Sequence, residues 1–146
     1  MKKFKFLIWL IFIVNSGFLY SQGSEELLSQ CISTSGKDAT YLKDFTINLP
    51  EATNQQRPPV SKNSIILRKN TSYRFTVCTE DNSKSEPIIQ LYDTQRLIAS
   101  TFDKKTGKCY KSFNFHCSKT GPYNIFFYFK DGKKGSAIGI LSYVKK

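Results

Sequence analysis

Hydrophobic and polar positions alternate in short runs along most of the chain. In SYRFTVCTE (72–80), Tyr73, Phe75 and Val77 point one way and Arg74, Thr76 and Cys78 the other, the period of two that marks a half-buried strand. The same texture recurs in TYLKDFTINL (40–49), where Tyr41, Phe45 and Ile47 are spaced mostly by two. It continues in SIILRKN (64–70), IIQLYD (88–93), LIASTF (97–102), KCYKSFNFHC (108–117), YNIFFYF (123–129) and SAIGILSYV (136–144). Breakers separate these runs. Pro50 ends the first, EATNQQRPPVSKN (51–63) reads as a loop around Pro58-Pro59, and Lys69-Asn70-Thr71, DNSKSE, DTQR, SKTGP and KDGKKG read as turns. DKKTGK joins them, with Gly107 available for a positive φ. No segment shows a convincing helical period. About eight strands with turn signals every 8–12 residues predict an all-β fold, an antiparallel β-sandwich or jelly roll.

Two runs stand apart. KCYKSFNFHC places Cys109, Phe113, Phe115 and Cys117 on one face of a single predicted strand. YNIFFYF is apolar on both faces, with Tyr123, Ile125, Phe127 and Phe129 on one and Phe126 and Tyr128 on the other. Such a strand is expected at the centre of the core, or with its outer face against the N-terminal arm or a partner.

The first residues do not share this texture. Lys2, Lys3 and Lys5 precede the apolar run FLIWLIFIV (6–14), and small residues follow at Ser21 and Gly23. This pattern predicts a signal peptide over 1–21 with cleavage near 21–23. The apolar run is interrupted by Asn15, Ser16 and Gly17, short of the roughly 20 residues of a membrane span. Gln30 before Cys31 does not fit a lipid-attachment site. The mature chain is then an N-terminal arm, 22–38, tied down through Cys31, and a β-sandwich domain, 39–146, exported to the periplasm, the cell surface or the medium.

Export changes the charge and the meaning of the cysteines. The chain carries 22 basic and 11 acidic residues, and removing the three leader lysines leaves a net +8. That balance favours anionic surfaces such as lipopolysaccharide, acidic glycans or acidic proteins, although the lysines scatter over turns and the tail. Cys31, Cys78, Cys109 and Cys117 form an even set without metal-ligand spacing, so two disulfides are expected, with three pairings open.

The order of the motifs resembles the pre-peptidase C-terminal type of bacterial β-sandwich found in exported proteins. The matching pieces are YRFTV after IILRKNTS, IIQLYD followed by a turn and LIAST, and FNFHCSKTGPYNIFF, over roughly residues 60 to 144. The resemblance implies a non-catalytic appendage that assists secretion, binds surfaces or contacts proteins, in some cases with calcium. It assigns Thr120, Gly121 and Tyr123 to a structural corner. LYDTQRLIAS and GPYNIFFYFKDGKKG are also similar to pieces of the sorting domain of type IX secretion cargo, but almost no cargo would precede them here.

Candidate chemistry is sparse. His116 is the only histidine, it faces away from Phe115 and Cys117, and no nucleophile elbow exists. Glu80, Asp81 and Glu86 cluster in an oxygen-rich loop that could hold calcium, but Lys84 sits among them and EF-hand spacing is missing. No other cofactor is implied. Asn70-Thr71-Ser72 is a formal glycosylation sequon. Export argues against nucleic acid as a partner. The aromatic and basic residues Tyr92, Tyr110, Phe126, Tyr128, Lys133 and Lys134, with Tyr143, are the candidate binding surface for an envelope protein or a surface glycan. The expectation is an accessory binding module rather than an enzyme. The alternatives are a small hydrolase whose carboxylates converge in a cleft, or a calcium- or glycan-binding module.

Overall fold

In the computed structural model, residues 22–54, 57–80 and 82–145 are described. The predicted leader, its cleavage site up to Ser21 and the calcium candidate Asp81 lie outside them. Among the described residues the chain forms one helix, α1 (Gln22–Thr34), and then only strands and short turns. The strands are β1 (Ala39–Leu49), β2 (Ser61–Leu67), β3 (Thr71–Cys78), β4 (Pro87–Asp93), β5 (Arg96–Ser100), β6 (Phe102–Asp103), β7 (Lys108–Cys109), β8 (Ser112–Cys117), β9 (Gly121–Phe129) and β10 (Gly135–Val144). A 3-10 turn, Lys130–Gly132, joins the last two. Among these residues no helix is long and apolar enough to cross a membrane.

The eight longer strands make two four-stranded antiparallel sheets. Sheet A has the order β1-β10-β3-β8 and sheet B the order β2-β9-β4-β5. The pairs β1–β10, β2–β9, β3–β8 and β4–β5 nest inside one another, as in one long hairpin rolled into two layers. That is the jelly-roll arrangement, and it confirms the all-β expectation. The short pair β6–β7 is a hairpin outside both sheets.

Alternation places the core. Phe45, Ile47, Tyr73, Phe75, Val77, Ala137 and Leu141 face inward from sheet A, and Ile65, Leu67, Ile89, Leu91, Tyr123, Ile125, Phe127 and Phe129 from sheet B. Ring pairs cross the layers, Phe45 with Phe127 at 5.4 Å and Phe115 with Tyr123 at 5.6 Å between centroids. Gly139 makes the closest approach possible, because a Cβ there would stand 2.5 Å from the Phe127 ring.

The helix, within the N-terminal arm, corrects the expectation that no segment is helical. Leu27, Leu28, Cys31 and Ile32 fall on one helical face, which packs on the outer side of sheet A against Ile138, Ile140 and Cys78. Strand β10 is therefore buried on both faces. The helix ends where Gly36 takes φ +97° while its N–H donates to the Ser33 carbonyl at 3.2 Å. Position 36 also has no room, since a Cβ would lie 2.8 Å from Asp38 Oδ1 and 2.9 Å from Arg74 Nη1.

The cysteines correct a second expectation. Cys31 and Cys78 form a disulfide that ties α1 to β3, whereas Cys109 and Cys117 are free thiols. The predicted strand 108–117 is in fact two elements, because after β7 the chain crosses toward sheet A: Val77 N–H donates to the Lys111 carbonyl at 2.9 Å. Cys109 pairs with Phe102 in the small hairpin, and Cys117 ends β8 opposite Thr71. The two thiols have different surroundings, Cys109 beside Glu86 and Lys130 and Cys117 Sγ at the Lys119 carbonyl and the Tyr123 hydroxyl, so they do not pair. An unfolded, unreduced chain therefore presents two titratable thiols rather than none.

Candidate functional site

The aromatic face lies on sheet B, away from α1. On β9 the outward positions are Asn124, Phe126 and Tyr128, and register sets Phe126 beside Lys62 of β2 and Gln90 of β4. The Tyr92 and Phe126 rings meet at 4.8 Å, and Lys62 Nζ stands 5.2 Å from the Phe126 centroid. The Tyr92 hydroxyl donates to Gln90 Oε1 at 2.9 Å, which turns the phenol along the sheet. Ile66 of β2, 68 % exposed, and Leu97 of β5, 41 % exposed, widen the face on either side. Among the described residues the outer face of β9 is therefore lined by side chains of its own sheet around Phe126 and, at Tyr128, by Cys109 of the β6–β7 hairpin.

Toward the end of this face, Lys130 forms an ion pair with Glu86 at 3.2 Å, donates to the Gly107 carbonyl at 3.1 Å and lies 5.9 Å from the Phe102 centroid. Hydrogen bonding to Glu86 raises the Lys130 pKa. Burial, and then the neighbouring Tyr92, push the Tyr128 phenol up.

The remaining surface candidates do not join this face. Tyr110 lies at the end of the sandwich, with Lys108 Nζ 5.0 Å from its ring centroid. It lines an open cavity of about 330 Å³ together with Leu27 and Gln30 of α1, Cys78, Glu80, Glu86 and Cys109. Lys133 and Lys134 are exposed on the turn before β10, where the Lys134 carbonyl accepts from Ser85 Oγ at 2.5 Å. Tyr143 is exposed near the end of β10 in sheet A.

The acidic loop contributes two carboxylates to that cavity, Glu80 and Glu86, the second already engaged by Lys130. Among the described residues no group of three or more His, Cys, Asp or Glu side chains converges as a metal site.

The corner residues act as struts. Thr120 Oγ1 accepts from the Lys69 N–H at 2.8 Å, and the Tyr123 hydroxyl donates to the Lys119 carbonyl at 2.8 Å. Burial, and then the Cys117 thiol at 3.6 Å, push the Tyr123 phenol up to about 12. Gly121 needs no special backbone: its φ is not positive, and a Cβ there would meet nothing within 4 Å. The conformation of this corner therefore does not require glycine. Gly107, by contrast, takes φ +71° as the turn chemistry implied.

One polar pair escaped the sequence reading. Ser72 Oγ and His116 Nδ1 lie 3.0 Å apart, a hydroxyl beside an imidazole. The two face each other across β3 and β8 on the outside of sheet A. Both strands were expected, and so was the outward direction of His116; only their pairing register was missing. The pair lines none of the cavities described here, and among the described residues no carboxylate hydrogen-bonds to the imidazole.

No protein-family model matches the chain, and no curated protein matches it either.

Proposed function

We propose that the chain is an exported, non-catalytic accessory module of a bacterial cell envelope that contacts a protein partner through the outward face of sheet B. One observation carries this reading: exposed Ile66 and Leu97 flank the Tyr92–Phe126 ring pair on a single sheet face. Phe126 and Tyr92 sit among Gln90 and Asn124 on the two central strands, and Ile66 and Leu97 extend the apolar area onto the edge strands, a mixed aromatic, aliphatic and polar composition that suits a protein interface. A solvated sheet face would carry mostly polar residues there. The excess of basic residues favours an acidic partner, and it would equally draw an anionic surface polymer. The similarity of residues 60 to 144 to the pre-peptidase C-terminal type points the same way, and the leader-like residues 1–21 supply the export step.

The test is a pull-down of the tagged chain from its native envelope in mild detergent, run beside an Ile66→Asp variant. A stoichiometric protein recovered with the wild type and lost with the variant supports the reading. Recovery indifferent to the substitution, or recovery of polysaccharide alone, overturns it.

A hydrolytic reading has one observation in its favour, the presence of Glu80 and Glu86 in the lining of one cavity. Hydrolysis of a polysaccharide or peptide that Glu80→Gln or Glu86→Gln abolishes would replace the binding reading.

A further inference from the structure

The buried apolar side chains fall into two separate clusters. The larger fills the space between the sheets, and the smaller, Cys31 with Ile138 and Ile140, lies outside sheet A beneath α1. The backbone of sheet A stands between them, so the sandwich core is complete without the helix. Among the described residues, α1 is held by the contact of Leu27, Leu28 and Ile32 with the smaller cluster, by the Arg74 hydrogen bond to the Ser35 carbonyl at 2.6 Å that follows its last turn, and by the Cys31–Cys78 disulfide. The seat is open on both sides. The cavity of about 330 Å³ borders one flank, and another of about 430 Å³, lined by Leu27, Leu28, Asp44, Glu80 and Ile138, borders the other.

We propose that α1 is a removable cover latched by the Cys31–Cys78 disulfide, and that reducing the latch bares the apolar strip of Ile138 and Ile140 while the jelly roll stays folded. The reductant is a dithiol, either a small molecule or a thiol oxidoreductase of the envelope. Its thiolate attacks Cys78 Sγ, because Cys78 opens on the cavity whereas Cys31 is fully buried. The bond to Cys31 breaks, and Cys31 leaves as a thiolate that takes up a proton. The second thiol of the donor then displaces Cys78 as a thiol and closes the donor's own disulfide, so two electrons and two protons pass to the protein. A released helix of 13 residues is too short to persist alone in water, so it melts rather than re-docks. This device lies on sheet A and is independent of the face on sheet B.

Hydrogen exchange of the full chain with and without dithiothreitol tests the proposal, with Cys78→Ser as a version that needs no reductant. The amides of residues 27–34 are expected to exchange roughly 100-fold faster after reduction, with those of β9 unchanged within about twofold. In Cys78→Ser they are expected to be fast from the start. Helix amides that keep their protection in both cases, or β9 amides that lose theirs together with the helix, would overturn it. So would a disulfide that survives dithiothreitol in the folded chain by thiol count.

Discussion

Arg74 grips Asp38 through both carboxylate oxygens, Nη1 to Oδ1 at 2.8 Å and Nη2 to Oδ2 at 3.0 Å. The same guanidinium donates to the Ser35 carbonyl at 2.6 Å and, through Nε, to Asn114 Oδ1 at 2.7 Å. One side chain on β3 thereby joins the end of α1, the start of β1 and strand β8. Lysine has a single ammonium group and cannot span this fork. Arg74→Lys is expected to lower the melting temperature by several degrees. The hydrogen bond from Arg74 also holds the Asp38 carboxyl below its ordinary value of 3.8. A depressed pKa stabilises the fold above that value and ceases to do so as pH falls through the folded one. The gap between wild type and Arg74→Lys should therefore narrow as pH is lowered below about 4, and a gap constant with pH would remove the Asp38 contribution.

Gly139 and Gly121 separate two reasons for having glycine. At Gly139 an added Cβ meets the Phe127 ring at 2.5 and 2.7 Å, and that ring is fixed against Phe45 in the core. Gly139→Ala should cost about 1–3 kcal/mol by overpacking. Gly121 has open space and an ordinary φ, so Gly121→Ala should stay within about 0.5 kcal/mol of wild type. Denaturant midpoints of the two variants decide the matter, and equal costs would refute the distinction.

The strands were legible because each is read from its own alternation, as Tyr73, Phe75 and Val77 show against Arg74, Thr76 and Cys78. Which strands become neighbours is set by pairing between distant segments, which alternation does not encode. For that reason Tyr92, Phe126 and Tyr128 could be placed outward yet not distinguished from Tyr110 and the Lys133-Lys134 turn, which the topology carries elsewhere. The helix was missed for another reason. Its apolar side chains are only Leu27, Leu28, Cys31 and Ile32 in a polar stretch, and its stability comes from docking and a disulfide rather than from propensity. The four-residue steps from Leu27 to Cys31 and from Leu28 to Ile32 were the available signal. The break between β7 and β8 left no comparable mark, since Tyr110 and Lys111 fit a continuous strand as well as a crossover.

Thr76 offers a stabilising substitution. Its side chain lies on the outer side of sheet A, fully buried, and its Oγ1 has no hydrogen-bond partner among the described residues. A hydroxyl in that position loses water without compensation. Thr76→Val keeps the shape and the strand preference, so it should raise stability by about 1 kcal/mol in denaturant melts. A loss of stability would mean that the hydroxyl is satisfied in solution.

Tyr123 is expected to lose its share of stability in base. Its phenol is buried against Phe115, donates to the Lys119 carbonyl and is pushed up to about 12, chiefly by burial. In the unfolded chain the same group ionises near its ordinary value of 10.0. Because the folded pKa is the higher one, its contribution is complete below pH 10 and is lost as pH rises toward about 12. Tyr123→Phe removes the ionisation and leaves the Lys119 carbonyl one donor short, at about 1 kcal/mol near neutrality. The chain has eight tyrosines, so the total alkaline loss is not specific, but the difference between wild type and Tyr123→Phe is. Denaturant melts at pH 8, about 10 and about 11.5 should show the wild-type advantage shrinking and then reversing across the upper interval. If the two proteins lose stability in parallel, the buried phenol is not what fails first in base.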